Sequence, residues 1–318
     1  MTSHVASAQP KRRASPRLGI VLAAIAVVCL TALAVAVVRM ELELTAPAFA
    51  LIDPPRPDIR DDLHPEMVVI PSQSGANLAG WFVNGRPGGG AVVLMHGIKA
   101  NRMSMVRRAR LLHENGFSVL LFDFQAHGES GGTRITVGHL EALDARAAVE
   151  FVRRRLPDER VGAIGASLGG AAALLGPGPL PVDALVLEAV YPDVERALAN
   201  RLRLVLGPNG ANIAVPVLMP VFELFAPAVI GVWPSQLRPI DQIAEVTAPV
   251  LVIAGSNDRR TTLKETRELF ARAREPKYLW VVEGADHVDL EAFAPDEYRR
   301  RVLPFLDRLR RSPQPEAR

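Results

Sequence analysis

One serine, Ser167, stands in the run VGAIGASLGG among small and apolar residues. A serine hydroxyl is a poor nucleophile until a base takes its proton, and that base needs a carboxylate to orient it. Two later stretches supply both types of partner: Asp258 follows PVLVIAGSN, and His287 follows YLWVVEGAD. Together the three could run acyl transfer, with Ser167 attacking a carbonyl, His287 moving the proton and Asp258 holding the imidazole. Each residue also has a plain alternative. Ser167 could simply cap a helix, Asn257-Asp258 is ordinary turn chemistry, and His287 could be a loop histidine. Asp286 and Asp289 flank His287 but end no separate strand, so they read as solvated loop residues.

The Gly-x-Ser-x-Gly pattern is modest on its own, because a glycine-rich chain meets it by chance. Its surroundings decide. The pattern directly follows RVGAI and opens SLGGAAALL, the strand–turn–helix setting of a nucleophile elbow. There the serine takes a strained backbone conformation and the helix aims its N-terminal dipole at the site. A phosphate loop is the other glycine-rich option, but neither GxGxxG nor GxxxxGK(S/T) occurs. No His, Asp and Glu cluster has metal-ligand spacing, so neither metal nor cofactor is expected.

The elements needed to position these residues are legible. Short β-branched runs at 66–71, 79–83, 91–95, 118–122, 160–164, 184–188, 249–254 and 278–282 read as strands. Helical patterns lie near 103–115, 136–155, 167–175, 261–273 and 295–311. Two early strands close together, followed by alternating strands and helices, predict an α/β fold: an antiparallel start feeding a mostly parallel, doubly wound sheet. Apolar runs without alternation fit strands covered on both faces. Residues 192–240 break the rhythm. They contain AVPVLMPVFELFAPAVIGVW, whose Pro216, Pro220 and Pro227 and central Glu223 weaken a second membrane span. We expect short helices there, forming a cap or apolar wall.

Leu18 to Val38 is a 21-residue run without charge. As a helix it spans roughly 30 Å, about the hydrocarbon thickness of a bilayer. Ala48-Phe49-Ala50 resembles a signal cleavage site but lies twelve residues beyond the run, so an uncleaved anchor is expected. Lys11, Arg12, Arg13 and Arg17 precede the run, while Glu41 and Glu43 follow it. The positive-inside rule then keeps the N-terminus cytoplasmic and exports the rest. Residues 1–39 carry five basic residues and no acid, leaving 32 basic against 34 acidic in the remainder. That near-neutral body argues against nucleic acid, and arginine clusters at 153–155, 259–260 and 299–301 read as solvated helix faces. The single Cys29 excludes an intramolecular disulfide framework and, inside the apolar run, suggests no redox or metal role. The expected organisation is a basic tail 1–17, an anchor 18–38, a Pro-rich linker 39–65, a main domain 66–312 with a cap-like insertion 192–240, and a disordered tail 313–318.

From about Met67 to Leu309 the chain resembles an α/β-hydrolase of the membrane-anchored serine hydrolase type. The stretches LMHGIKANR, FDFQAHGESGG, GASLGG, APVLVIAGSND and VEGADH carry the resemblance, with Ser167, Asp258 and His287 in the family's order. The resemblance implies that the loop after His96-Gly97 holds the first oxyanion donor, the backbone N–H of Ile98, and that Leu168 supplies the second. It also implies a structural part for His96 and for His127. His139 opens a helix, and His4, His64 and His113 have no supporting context. The expected function is cleavage of carboxylic esters or thioesters through an acyl-enzyme, with a lipidic substrate as an extension. A peptidase or acyltransferase on the same triad is the alternative within enzymes. A catalytically silent, membrane-anchored binding protein is the alternative outside them.

Overall fold

The computed structural model describes residues 16–311. Most of the expected basic tail and all of the 313–318 tail lie outside those residues, as does the Cys29 side chain. The main sheet has eight strands: β1 (Glu66–Pro71), β2 (Asn77–Val83), β3 (Ala91–Met95), β4 (Ser118–Phe122), β5 (Val161–Ala166), β6 (Ala184–Glu188), β7 (Val250–Gly255) and β8 (Lys277–Val282). Their spatial order is β1-β2-β4-β3-β5-β6-β7-β8. β2 runs antiparallel to both β1 and β4, and every other pairing is parallel. This is the doubly wound arrangement expected from the pattern of runs. The interior strands AVVLM, SVLLF and ALVLE are buried at every residue. The edge strand β1 instead leaves Met67 and Val69 exposed, as a strand covered on one face must.

Helices close both faces. α3 (Val106–Glu114) and α8 (Pro295–Leu306) join a core with Trp81, Phe117 and Ile253. α4 (His139–Arg155), α5 (Leu168–Leu174) and α7 (Leu263–Arg272) cover the opposite face with Val149, Ala172 and Leu269. The strand order matters most at the carboxyl edge. Met95 pairs with Gly165, so the loops leaving β3 and β5 emerge side by side. Val282 pairs with Gly255, which does the same for the loops leaving β7 and β8. Loops that diverge at such a switch of strand order form a ready crevice.

Two regions differ from the sequence pattern. Pro57–Leu63, inside the expected linker, is a helix whose Ile59 and Leu63 are fully buried. The prolines of 192–240 predicted short helices, but Val194–Val229 forms one long helical run, α6, broken only at Gly207 (φ 70°, ψ 170°). At 100° per residue, Pro216, Pro220 and Pro227 fall on one stripe, and the helix runs on through all three. Ala211, Leu218, Phe222 and Ala226 form the buried stripe. Among the described residues α6 is the one helix shown long and apolar enough to cross a membrane, by length and composition only, and the fold leaves most of its apolar stretch unburied. It packs against the other long helix, α1 (Pro16–Thr45).

Candidate active site

Ser167 sits between the end of β5 and the first residue of α5, at φ 50° and ψ −108°. A positive φ is uncommon for a residue with a side chain and marks strain held by its surroundings. Two hydrogen bonds hold it: the Ser167 N–H donates to the Glu188 carbonyl on β6 at 2.8 Å, and the Ser167 carbonyl accepts from Ala171 at 3.0 Å. The glycines of the motif have steric reasons. A Cβ on Gly169 would sit 2.4 Å from the Met95 carbonyl oxygen, and one on Gly165 would meet the Gly170 nitrogen at 2.5 Å. Glycine at 169 lets the elbow lie this close to β3, and glycine at 165 lets the start of α5 pack back on β5.

Asp258 follows β7 and is buried; His287 follows β8 and is partly open. The His287 Nδ1 lies 2.8 Å from Asp258 Oδ2. The other carboxylate oxygen, Oδ1, accepts the backbone N–H groups of Arg260 and Thr261, each at 2.8 Å. A carboxylate so held can only accept, so the ring proton belongs on Nδ1 and the Nε2 lone pair is left free. Ser167 and His287 line one cavity of about 270 Å³ together with Gly97, Ile98, Ala189 and Arg201. The serine hydroxyl is not hydrogen-bonded to the imidazole in this structure, a contact that commonly tightens only when substrate is bound.

The amides of Ile98 and Leu168 hydrogen-bond to no protein acceptor among the described residues. Both residues line a second, narrower cavity of about 30 Å³ that also contains Ser167. Two buried histidines shape the loop carrying Ile98. His96 Nε2 accepts the Phe124 N–H at 3.1 Å and its Nδ1 lies 2.8 Å from the Gly97 carbonyl. His127 Nε2 accepts the Lys99 N–H at 3.1 Å, and its Nδ1 lies 2.9 Å from the Gln125 carbonyl. Each ring therefore holds its proton on Nδ1 and stays neutral. Burial, aided by His127, pushes His96 down to about 3, and burial also lowers His127. Neither faces the reaction as a base; both brace the loop.

Beneath that loop, the fully buried Arg102 pairs with Asp123, Glu129 and, at 2.7 Å, Asp53. The Arg102 N–H also donates to Asp123 at 2.6 Å, and Trp81 Nε1 donates to Asp53 at 2.7 Å. Asp289 is less free than a solvated loop residue, since it pairs with Arg108 at 2.8 Å. Among the described residues no group of three or more His, Cys, Asp or Glu side chains is placed to hold a metal ion.

Sequence reasoning missed part of the narrower cavity. Met40, Glu41 and Leu44, on the last turns of α1, form one wall, and Val194, Leu198, Arg201 and Phe222 of α6 form another. The second wall falls in the 192–240 segment expected to form a cap or apolar wall, whereas nothing local marked the first, because Glu41 looks like any charge flanking an apolar run.

Residues 87–215 match the family model described as serine aminopeptidase, S33. Over 228 residues the chain is 35% identical to the Mycobacterium tuberculosis protein Rv2307c, spanning 70% of this chain and 73% of that one. The chain belongs to the α/β-hydrolase superfamily. The hydrolase is also 26% identical to YqkD of Bacillus subtilis over 247 residues, 76% of this chain and 79% of that one. Among solved structures it resembles the Pyrococcus furiosus esterase Pf2001, with TM-score 0.66 and 25% identity, over 83% of this chain and 99% of that one.

Proposed function

We propose that this hydrolase is a serine hydrolase of carboxylic esters or thioesters, with Ser167 as nucleophile, His287 as base and then acid, and Asp258 as the orienting carboxylate. The observation that carries this reading is the 2.8 Å contact between His287 Nδ1 and Asp258 Oδ2, facing the cavity that also holds the strained Ser167. Nε2 takes the Ser167 proton as Oγ bonds to the acyl carbon. The carbonyl oxygen becomes an oxyanion, received by the Ile98 and Leu168 amides. The bond to the leaving oxygen or sulfur then breaks, and His287 returns the proton to it. Water repeats the sequence on the acyl-enzyme and frees Ser167.

The two cavities can be assigned to the two halves of the substrate. His287 must reach the leaving atom, and of these two cavities it lines the one of 270 Å³, so the leaving group lies there. The acyl group then enters the narrower 30 Å³ cavity. A water needs roughly 10–15 Å³, so a cavity of about 30 Å³ suits a small acyl group. A lipidic substrate would carry its long chain on the leaving-group side.

The membrane-anchor reading is supported by α1, where Ile20, Val21, Ile25, Val28 and Val35 are all more than half exposed over the apolar run. Retention of the full chain in the membrane pellet after an alkaline carbonate wash is the expected result. The family model's description favours one second reading, aminopeptidase activity on the same triad. Two measurements test the scheme. Ser167→Ala should abolish labelling by a fluorophosphonate, and equal labelling of both chains refutes the nucleophile. A panel of p-nitrophenyl esters against aminoacyl p-nitroanilides separates esterase from aminopeptidase.

A further inference from the structure

Besides His287, the wider cavity beside Ser167 is lined by the charged residues Arg108, Glu188, Asp289, Arg201 and Arg260. The first three are spent on one another: Arg108 pairs with Glu188 at 2.6 Å and with Asp289 at 2.8 Å. Arg201 and Arg260 are not. Neither guanidinium forms an ion pair or hydrogen bond among the described residues. Arg201 comes from α6 and is half-buried, whereas Arg260 is exposed on the triad's own loop, where its backbone N–H donates to Asp258 Oδ1. Burial holds Arg201 below the ordinary guanidinium range against an opposing pull from Tyr191, and the positive charge of Arg260 lowers it further. Two like charges thus act on each other at the rim of the catalytic cavity, and no carboxylate is among the groups acting on Arg201. A cleft lined by unpaired charge of one sign attracts ligands of the other.

We propose that Arg201 and Arg260 are specificity-determining residues, and that the leaving half of the substrate carries an anionic group, a carboxylate or a phosphate, which their guanidinium groups hold. The proposal rests on the reading of Ser167 as the nucleophile and of the wider cavity as the leaving-group side. Arg260 lines that cavity and not the narrower one, so the anion belongs to the leaving half rather than to the acyl half. Carboxylate and phosphate oxygens both match the donor fork of a guanidinium. A neutral leaving group would leave the two like charges uncompensated, and a cationic one would add a third.

The test uses the full-length chain in non-ionic detergent and four acetate esters that differ only in the charge on the phenol released: p-acetoxybenzoate, p-acetoxyphenyl phosphate, p-acetoxybenzamide and p-acetoxyphenyltrimethylammonium. For each ester the wild-type kcat/KM is divided by that of the variant, which cancels the phenol's own reactivity. Arg201→Met should cost an anionic ester at least about tenfold more than the benzamide ester. The anion with the larger factor, carboxylate or phosphate, identifies the class. Arg201→Lys keeps the charge but not the fork and should fall between. Arg260→Met should cost the anionic esters only about threefold more, because an exposed charge is screened. Retained fluorophosphonate labelling shows that each variant still folds around its site. Product inhibition of wild type needs no variant: p-hydroxybenzoate or p-hydroxyphenyl phosphate should inhibit at about a tenfold lower concentration than p-hydroxybenzamide. Equal losses across the four esters, or equal inhibition by charged and neutral phenols, overturn this proposal alone. Absence of both labelling and ester turnover in wild type overturns the nucleophile reading, and the proposal with it.

Discussion

Asp258→Asn should disable the hydrolase by fixing the wrong histidine tautomer, and the surrounding hydrogen bonds say why. Arg260 and Thr261 both aim backbone N–H groups at Oδ1 from 2.8 Å. An asparagine must therefore turn its carbonyl oxygen towards them, since an amide NH₂ there would face two donors. That forces the NH₂ into the place of Oδ2, which lies 2.8 Å from His287 Nδ1. To accept from it, Nδ1 must lose its proton, and the ring hydrogen moves to Nε2. The nitrogen that should take the Ser167 proton is then already protonated. A tautomer error of this kind costs about 10⁴ in kcat, or about 5 kcal/mol of transition-state stabilisation. Initial rates on a p-nitrophenyl ester, normalised to the folded fraction, measure the loss. The substitution adds and removes no volume, so thermal unfolding should move little by comparison. Hydrolysis within tenfold of wild type would refute the orientation argument, because the hydrogen bonds leave the amide no second arrangement.

Three further outcomes follow from the same geometry. Glu41 has a folded pKa near 7 against 4.5 in its ordinary state, so between those values the folded chain holds a proton that the unfolded chain has lost. Stability should therefore fall as pH rises through that window, by about 3 kcal/mol in total. Glu41→Gln should flatten this loss, with a larger gain in Tm at pH 8 than at pH 5; an equal gain at both refutes it. Arg102→Met strands the buried Asp123 carboxylate and should cost about 3–5 kcal/mol in urea unfolding, with less than 1 kcal/mol counting against the network. Gly169→Ala drives a Cβ to within 2.4 Å of the Met95 carbonyl and should displace the elbow, lowering fluorophosphonate labelling at least tenfold; unchanged labelling would show that the close approach is not needed.

Much of this site was legible because its signals are local. Ser167, Asp258 and His287 each follow an uninterrupted apolar run, and runs such as AVVLM and ALVLE can be little else than covered strands. Strand order then converts ends distant in sequence into neighbours, as the pairing of Val282 with Gly255 shows. The less legible parts depend on docking over long distances. Pro216, Pro220 and Pro227 look like helix breakers until their common stripe is recognised. Pro57–Leu63 is too short to show a helical period. Glu41 and Arg201 owe their interest to α1 lying against α6, a contact no window of sequence contains.

The unbroken course of α1 has a consequence for how this hydrolase can be handled. The apolar run and the wall residues Met40, Glu41 and Leu44 belong to one helix, Pro16–Thr45, about 45 Å long. A fragment starting after Thr45 would lose a side of the cavity proposed for the acyl group, and its chain-length preference would describe a different, wider site. The two ends of the rod are also locked in rotational phase. Two residues inserted near Arg39 would turn the apolar run by about 200° relative to the cavity wall, whereas seven would nearly restore the alignment. Whatever surface the run lies against, the direction in which the cavity faces is set by counting residues along that helix.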